Sequence, residues 1–301
     1  MAKKISGCFP ALITPMKKDS DRLNHKINFD AFRRLIEYVT NGGVTGIVPS
    51  GCTGHACSLT TKEQIKLISF ARENTKEKFS VIAGDGSNCT REAIELAKKI
   101  EDTGVKTHLQ ISPYQNKPVQ KGLFEHYAKI AEAIDGEIIV YNVPSRTGKN
   151  IEPETVAGLA KEFSNIIGIK EASGNIEQIK KVIELTKDFD FDVISGDDGL
   201  TLDIIKAGGT GCISVAANIA PKKTSEYIRL ALEGNFSDAQ KIDAELQPLF
   251  NALFIETNPC PAHYALEKMG IEAGIPRLPL VEITAESKKQ VDRVLEQLKL
   301  I

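Results

Sequence analysis

Short apolar runs separated by longer amphipathic stretches recur along the chain. The runs are FPALIT from Phe9, TGIVPSG from Thr45, FSVIAGDG from Phe79, HLQISPY from His108, EIIVYNVP from Glu137, IIGIKEAS from Ile166, FDVISGDD from Phe191 and TGCISVAAN from Thr210. They do not alternate apolar with polar. They are apolar on both faces, as expected for strands of a parallel sheet covered by helices. A helical pattern follows each, for example TKEQIKLISFAREN from Thr61 and REAIELAKKIEDTG from Arg91. Thr60 with Glu63 has the spacing of a capping box, and Asn175 with Gln178 has a similar one. Eight such βα units predict an α/β fold of the (β/α)8 TIM-barrel type, usually ~250 residues long. Residues 1–225 are assigned to the barrel and 226–301 to a C-terminal helical extension. No convincing strand occurs beyond about Pro221, and SDAQKIDAELQPLFNALF and AESKKQVDRVLEQLKL read as extra helices.

Composition narrows the class. Of 301 residues, 42% are hydrophobic and 26% charged, as in an ordinary soluble enzyme. The formal net charge of −2 gives nothing to draw the chain to nucleic acid or an anionic membrane. No apolar run approaches the ~20 residues of a membrane span. The segment MAKKISGCFPALITP has two lysines and a short strand-like run but not the long apolar region of a signal peptide. The six cysteines show no CxxC spacing, so they read as free thiols in a reducing cytoplasm rather than as a zinc or thioredoxin site. No metal or cofactor is expected.

In a barrel of this type the active site lies at the C-terminal ends of the strands. Lys170 and Tyr141 stand out there. Lys170 sits inside the apolar run IIGIKEAS, where burial disfavours the ammonium form and lowers its pKa. Such a lysine is either paired with a buried carboxylate or is an amine nucleophile able to form a Schiff base with a carbonyl. Tyr141 ends the preceding run, so its phenol can meet Lys170 in the barrel mouth and pass protons during imine chemistry; otherwise it is a packing aromatic. Arg146 follows in the next loop and suits a carboxylate, or is simply solvated.

PSGCTGHACSLTTKE, PYQNKP, YNVPSRTG, GIKEASGN, SGDD, ISVAAN and NPCPAHYAL occur in that order along essentially the whole chain. Together they resemble the dihydrodipicolinate synthase family, within the superfamily of N-acetylneuraminate lyase and keto-deoxy-sugar-acid aldolases. The resemblance implies a class I aldolase-type lyase of lysine and diaminopimelate biosynthesis. Lys170 would form an imine with pyruvate, and Tyr141 would position it and relay protons. Thr53, with backbone amides of the loop from Gly51 to Gly54, would hold the pyruvate carboxylate. Ile213 and Gly196 would lie near the bound pyruvate, and Arg146 would bind the carboxylate of aspartate 4-semialdehyde. The family's lysine feedback site is matched in part, at Asn88, Glu92 and Tyr114, while Thr61 and Gln64 stand at its histidine positions. The resemblance also implies a homotetramer built as a dimer of dimers.

Two loops depart from the family. Its glycine-rich loop usually reads Gly-Thr-Thr-Gly-Glu, where this chain has GCTGH, so Cys52 replaces a threonine and His55 the glutamate. Gln115 replaces a tyrosine that in relatives reaches into the neighbouring subunit. Those hydroxyls belong to a proton relay, and neither a thiol nor an amide substitutes for one well. Either water or His55 fills in, or activity is low, or the reaction differs. The competing readings are a pyruvate-dependent aldolase for another aldehyde and a non-catalytic pyruvate- or lysine-binding regulator.

Overall fold

A computed structural model of the protein describes residues 5–18, 23–76 and 79–301; Lys3 and Lys4 of the N-terminal segment lie outside the described residues. Each of the eight apolar runs overlaps a strand: β1 Gly7–Pro10, β2 Gly46–Ile47, β3 Ser80–Gly84, β4 Thr107–Ile111, β5 Glu137–Asn142, β6 Ile166–Glu171, β7 Asp192–Ser195 and β8 Gly211–Ser214. Every pairing between them is parallel. The order is β1-β8-β7-β6-β5-β4-β3-β2. The outer two meet through a parallel bridge at Ala11 and Val48 and bonds from Thr45 N to Cys8 O and Val48 N to Pro10 O, which close the barrel.

Helices α1 Phe29–Asn41, α2 Thr61–Glu73, α3 Thr90–Glu101, α4 Gln120–Ala133, α5 Pro144–Thr147, α6 Pro153–Glu162, α7 Ile176–Thr186, α8 Thr201–Lys206 and α9 Pro221–Leu232 connect and follow the strands. The extension adds α10 Phe236–Ala252, α11 Cys260–Lys268 and α12 Ala285–Gln297. α9 runs through residue 225, where the sequence reading ends the barrel. The Thr60–Glu63 capping box forms in both directions. Asn175 does cap α7, accepting from the amides of Glu177 and Gln178, but Gln178 does not reciprocate: its side chain reaches Asn150 and Glu171 instead.

The core has two shells. Phe9, Val48, Ile82, Leu109, Ile139, Ile167, Ile194 and Ile213, one from or beside each strand, fill the barrel interior. Ile138, Val140, Ile166 and Ile169 face outward onto the helices with Leu123, Tyr127 and Val156. Register between β5 and β6 slips once. Ile138 pairs with Ile166 but Ile139 pairs with Gly168, leaving Ile167 as one extra residue in β6. A bulge of this kind re-aims the side chains beyond it. Past it, Tyr141 lies opposite Lys170 and Asn142 opposite Glu171. A one-residue slip exchanges the faces of a strand, so the bulge decides that Lys170 shares the inner face with Tyr141.

Candidate active site

A cleft of about 900 Å3 opens at the C-terminal ends of the strands. Lys170, Tyr141, Cys52, Thr53, Arg146 and Gly196 all line it. Lys170 and Tyr141 are each only 6% exposed. The Lys170 ammonium nitrogen lies 4.3 Å from the centre of the Tyr141 ring. Burial lowers the Lys170 pKa from the usual 10.5; Asp198 and Arg146 also act on it, in opposite senses. The amine is therefore more readily neutral than that of a surface lysine, as a nucleophile needs. Burial pushes the Tyr141 phenol well above 10, with the Cys52 thiol as a hydrogen-bonding neighbour in the same direction. That phenol keeps its proton and can donate it.

Gly196 makes room for the lysine. A Cβ there would sit 2.8 Å from Ala172 Cβ and 2.9 Å from Lys170 Cε, too close for either. Next to it, Asp198 is buried and accepts the amides of Val215 at 2.9 Å and Ala216 at 3.0 Å, tying the end of β7 to the turn after β8. Burial raises its pKa.

The turn after β2 bends back on itself. Gly54 and Ala56 amides bond Gly51 O, and His55 N bonds Cys52 O; the amides of Cys52 and Thr53 take no part in these turn bonds. Thr53 is buried and its Oγ1 accepts from Asn258 Nδ2 at 3.0 Å, leaving the hydroxyl hydrogen for another acceptor. Arg146 is exposed on α5 at the cleft rim and donates from Nη2 to Asn258 O at 3.2 Å. Asn258 thus touches both groups expected to take carboxylates. Asn258 opens the segment NPCPAHYAL, and nothing in sequence spacing signals its partnership with Thr53 across 205 residues. Phe250, Phe254, Glu256 and Thr257 join it in lining the cleft, so the stretch joining α10 to α11 forms one wall.

Other candidates fall elsewhere. Ile213 packs in the barrel interior at 1% exposure and does not line the cleft. Gln115 is exposed with left-handed backbone, φ 69°, and lines no part of the cleft. His55, offered as a substitute relay group, is 3% exposed, lies outside the cleft lining, and turns its ring to His263. Burial, then His263 and Arg277, hold its pKa well below 6.5. Asn88, Glu92 and Tyr114 do gather on one edge. Asn88 Nδ2 donates to Tyr114 O at 3.1 Å, and Ser87 Oγ holds Glu92 at 3.1 Å. Tyr114 also lines a small cavity of about 70 Å3 with Cys52, Cys57, Gln64 and Tyr141. All six cysteines are free.

Residues 4–298 match the model of the dihydrodipicolinate synthetase family. The chain belongs to that family. It is 48% identical over 295 residues to the 4-hydroxy-tetrahydrodipicolinate synthase of Methanocaldococcus jannaschii, covering 98% of this chain and 99% of that one. A crystal structure of a dihydrodipicolinate synthase superposes with a TM-score of 0.94 at 46% identity, over 99% of this chain and 100% of that chain. The enzyme of Cyanidioschyzon merolae, solved with lysine bound, gives 0.95 at 36% identity over the full length of both. In this member of the dihydrodipicolinate synthetase family, no helix among the described residues is long and apolar enough to cross a membrane.

Proposed function

We propose that the chain is a 4-hydroxy-tetrahydrodipicolinate synthase, condensing pyruvate with aspartate 4-semialdehyde through a Schiff base on Lys170. The observation that carries this reading is the pairing of a buried lysine of lowered pKa with a buried, protonated tyrosine in one cleft. The neutral amine attacks the ketone carbon of pyruvate; water leaves and an imine forms. Loss of a methyl proton gives the enamine, whose carbon attacks the aldehyde of the second substrate. The amino group of that adduct then attacks the imine carbon and expels Lys170, closing the ring. Tyr141 carries protons in these steps. Thr53 and the amides of its turn receive the pyruvate carboxylate, and Arg146 receives that of the semialdehyde. Residues of the barrel interior such as Ile213 support the floor beneath them.

The edge holding Asn88, Glu92 and Tyr114 is the place for lysine feedback, and assembly is as a homotetramer in the cytoplasm. Cys52 and Gln115 favour a second reading, an aldolase of the same Schiff-base type acting on another aldehyde. Trapping separates these readings. Borohydride reduction with pyruvate should place a three-carbon adduct on the peptide containing Lys170, and Lys170→Ala should abolish both adduct and turnover. An adduct elsewhere in active enzyme would overturn the mechanism. An adduct on Lys170 without consumption of aspartate semialdehyde would favour the second reading.

A further inference from the structure

His55 and His263 are 3% and 2% exposed and come from points 208 residues apart. Their Nε2 atoms lie 2.8 Å apart, with ring centres at 4.7 Å and planes tilted by 44°. Two neutral imidazoles can bond in this way only if one Nε2 carries hydrogen and the other does not. The surroundings settle which. His263 Nδ1 lies 3.1 Å from Gly274 O, and a carbonyl only accepts. His263 is therefore protonated on Nδ1, its Nε2 accepts, and His55 Nε2–H donates. Burial pushes His263 down to about 4, so the arrangement stays neutral around pH 7.

The place of this bond in the chain matters. His55 closes the turn from Gly51 to Gly54 with left-handed backbone, φ 63°, and Ser50 opens it at φ 58°. Neither is glycine, and such residues persist where their surroundings hold them. Among the described residues, three side-chain bonds from distant parts of the chain hold this turn. Thr14 Oγ1 donates to Gly54 O at 2.6 Å, Asn258 donates to Thr53, and His55 donates to His263. Two of the three partners, Asn258 and His263, stand at the start of α11 in the C-terminal extension. Arg277, from the same extension, grips the following segment through Ser58 O at 2.9 Å and both oxygens of Glu63.

We propose that His55 and His263 are a positioning pair, through which the C-terminal extension holds the pyruvate-carboxylate turn in its bound shape before substrate arrives. The inference rests on the pyruvate reading of the cleft. A pre-set turn spares pyruvate the ordering cost on binding, so loss of the pair weakens pyruvate binding without touching the reacting groups.

His263→Ala tests this without altering any residue of the turn. The pyruvate KM should rise about tenfold, since a buried hydrogen bond is lost and its partner orphaned. The KM for the aldehyde, and kcat at saturating pyruvate, should stay within about twofold, the pattern of lost ground-state binding. His55→Gln, whose amide can donate to His263 Nε2, should keep the pyruvate KM near wild type, whereas His55→Leu should not. His55→Leu with His263→Ala should cost no more than either alone, because the two act as one unit. An unchanged pyruvate KM in His263→Ala would overturn the proposal. So would a parallel loss in both KM values and kcat, which marks general destabilisation. Should His263→Ala not fold, the comparison of Gln with Leu at 55 decides, and equal KM values overturn it. Trapping of wild type with pyruvate comes first: no adduct on Lys170 removes the functional reading itself, while an adduct with a KM indifferent to His263 removes only the pair.

Discussion

Two residue pairs lie side by side on the same two strands, one residue apart, and differ in almost everything else. Tyr141 and Lys170 face the barrel interior, while Asn142 and Glu171 face the helices. Both pairs are buried. On the outer face every bond is made. Asn142 Nδ2 donates to Asn150 at 2.9 Å and to Glu171 at 3.1 Å, and its Oδ1 accepts Ile151 N at 3.1 Å. Glu171 also accepts Ser173 N at 2.9 Å and Gln178 Nε2 at 3.4 Å. On the inner face the amine of Lys170 looks onto a tyrosine ring and apolar walls, with no carboxylate bonded to it among the described residues. Burial costs free energy in both places, but only the outer pair is compensated by a hydrogen-bond network. The outer network ties together the strands of Lys170 and Tyr141 and the loop after Arg146. The inner pair has no such network.

That contrast can be broken from either side. Glu171→Ala should give the largest effect on stability, a loss of about 3 kcal/mol, because donors of Asn142, Ser173 and Gln178 are orphaned at once. Denaturant unfolding measures it, and a change near zero would show that the outer network is incidental. Arg146→Ala lies on neither face and sharpens the division of labour. It should leave pyruvate trapping on Lys170 intact and lower kcat/KM for aspartate semialdehyde about a hundredfold. An unchanged value would mean that the second substrate's carboxylate is bound elsewhere. Lys170→Met should move stability the other way. Burial places the folded pKa below the usual 10.5, so between those two values the unfolded chain binds the extra proton and stability rises with pH. Below that window the lysine is a cost in full. Replacing it with methionine should raise unfolding free energy by about 1 kcal/mol while abolishing turnover.

Much of the fold is legible in the sequence. Each of the eight apolar runs overlaps a strand, and the lysine inside one of them is buried and lines the cleft. What the sequence could not show has physical causes. The run IIGI is apolar throughout, so it carries no alternation from which the bulge at Ile167 could be read, and without that bulge the faces of Lys170 and Glu171 exchange. Gln178 stands at capping-box spacing from Asn175, yet the buried carboxylate of Glu171 and the amide of Asn150 compete for its side chain and win. His55 looked like a spare acid–base group because its type suits that task; its burial against His263 depends on a helix more than 200 residues away. The wall carrying Asn258 was hidden for the same reason.

The central claim is that burial on the inner face keeps the Lys170 amine available as a nucleophile. The rate of borohydride-trapped imine formation with pyruvate, followed against pH, tests it most directly. Neutral amine grows as pH rises through the folded pKa, so the rate should climb and then level off below 10.5, the value of an exposed lysine. A rate still climbing in step with hydroxide at 10.5 would show that Lys170 titrates like a surface amine, and the account of the inner face would be wrong.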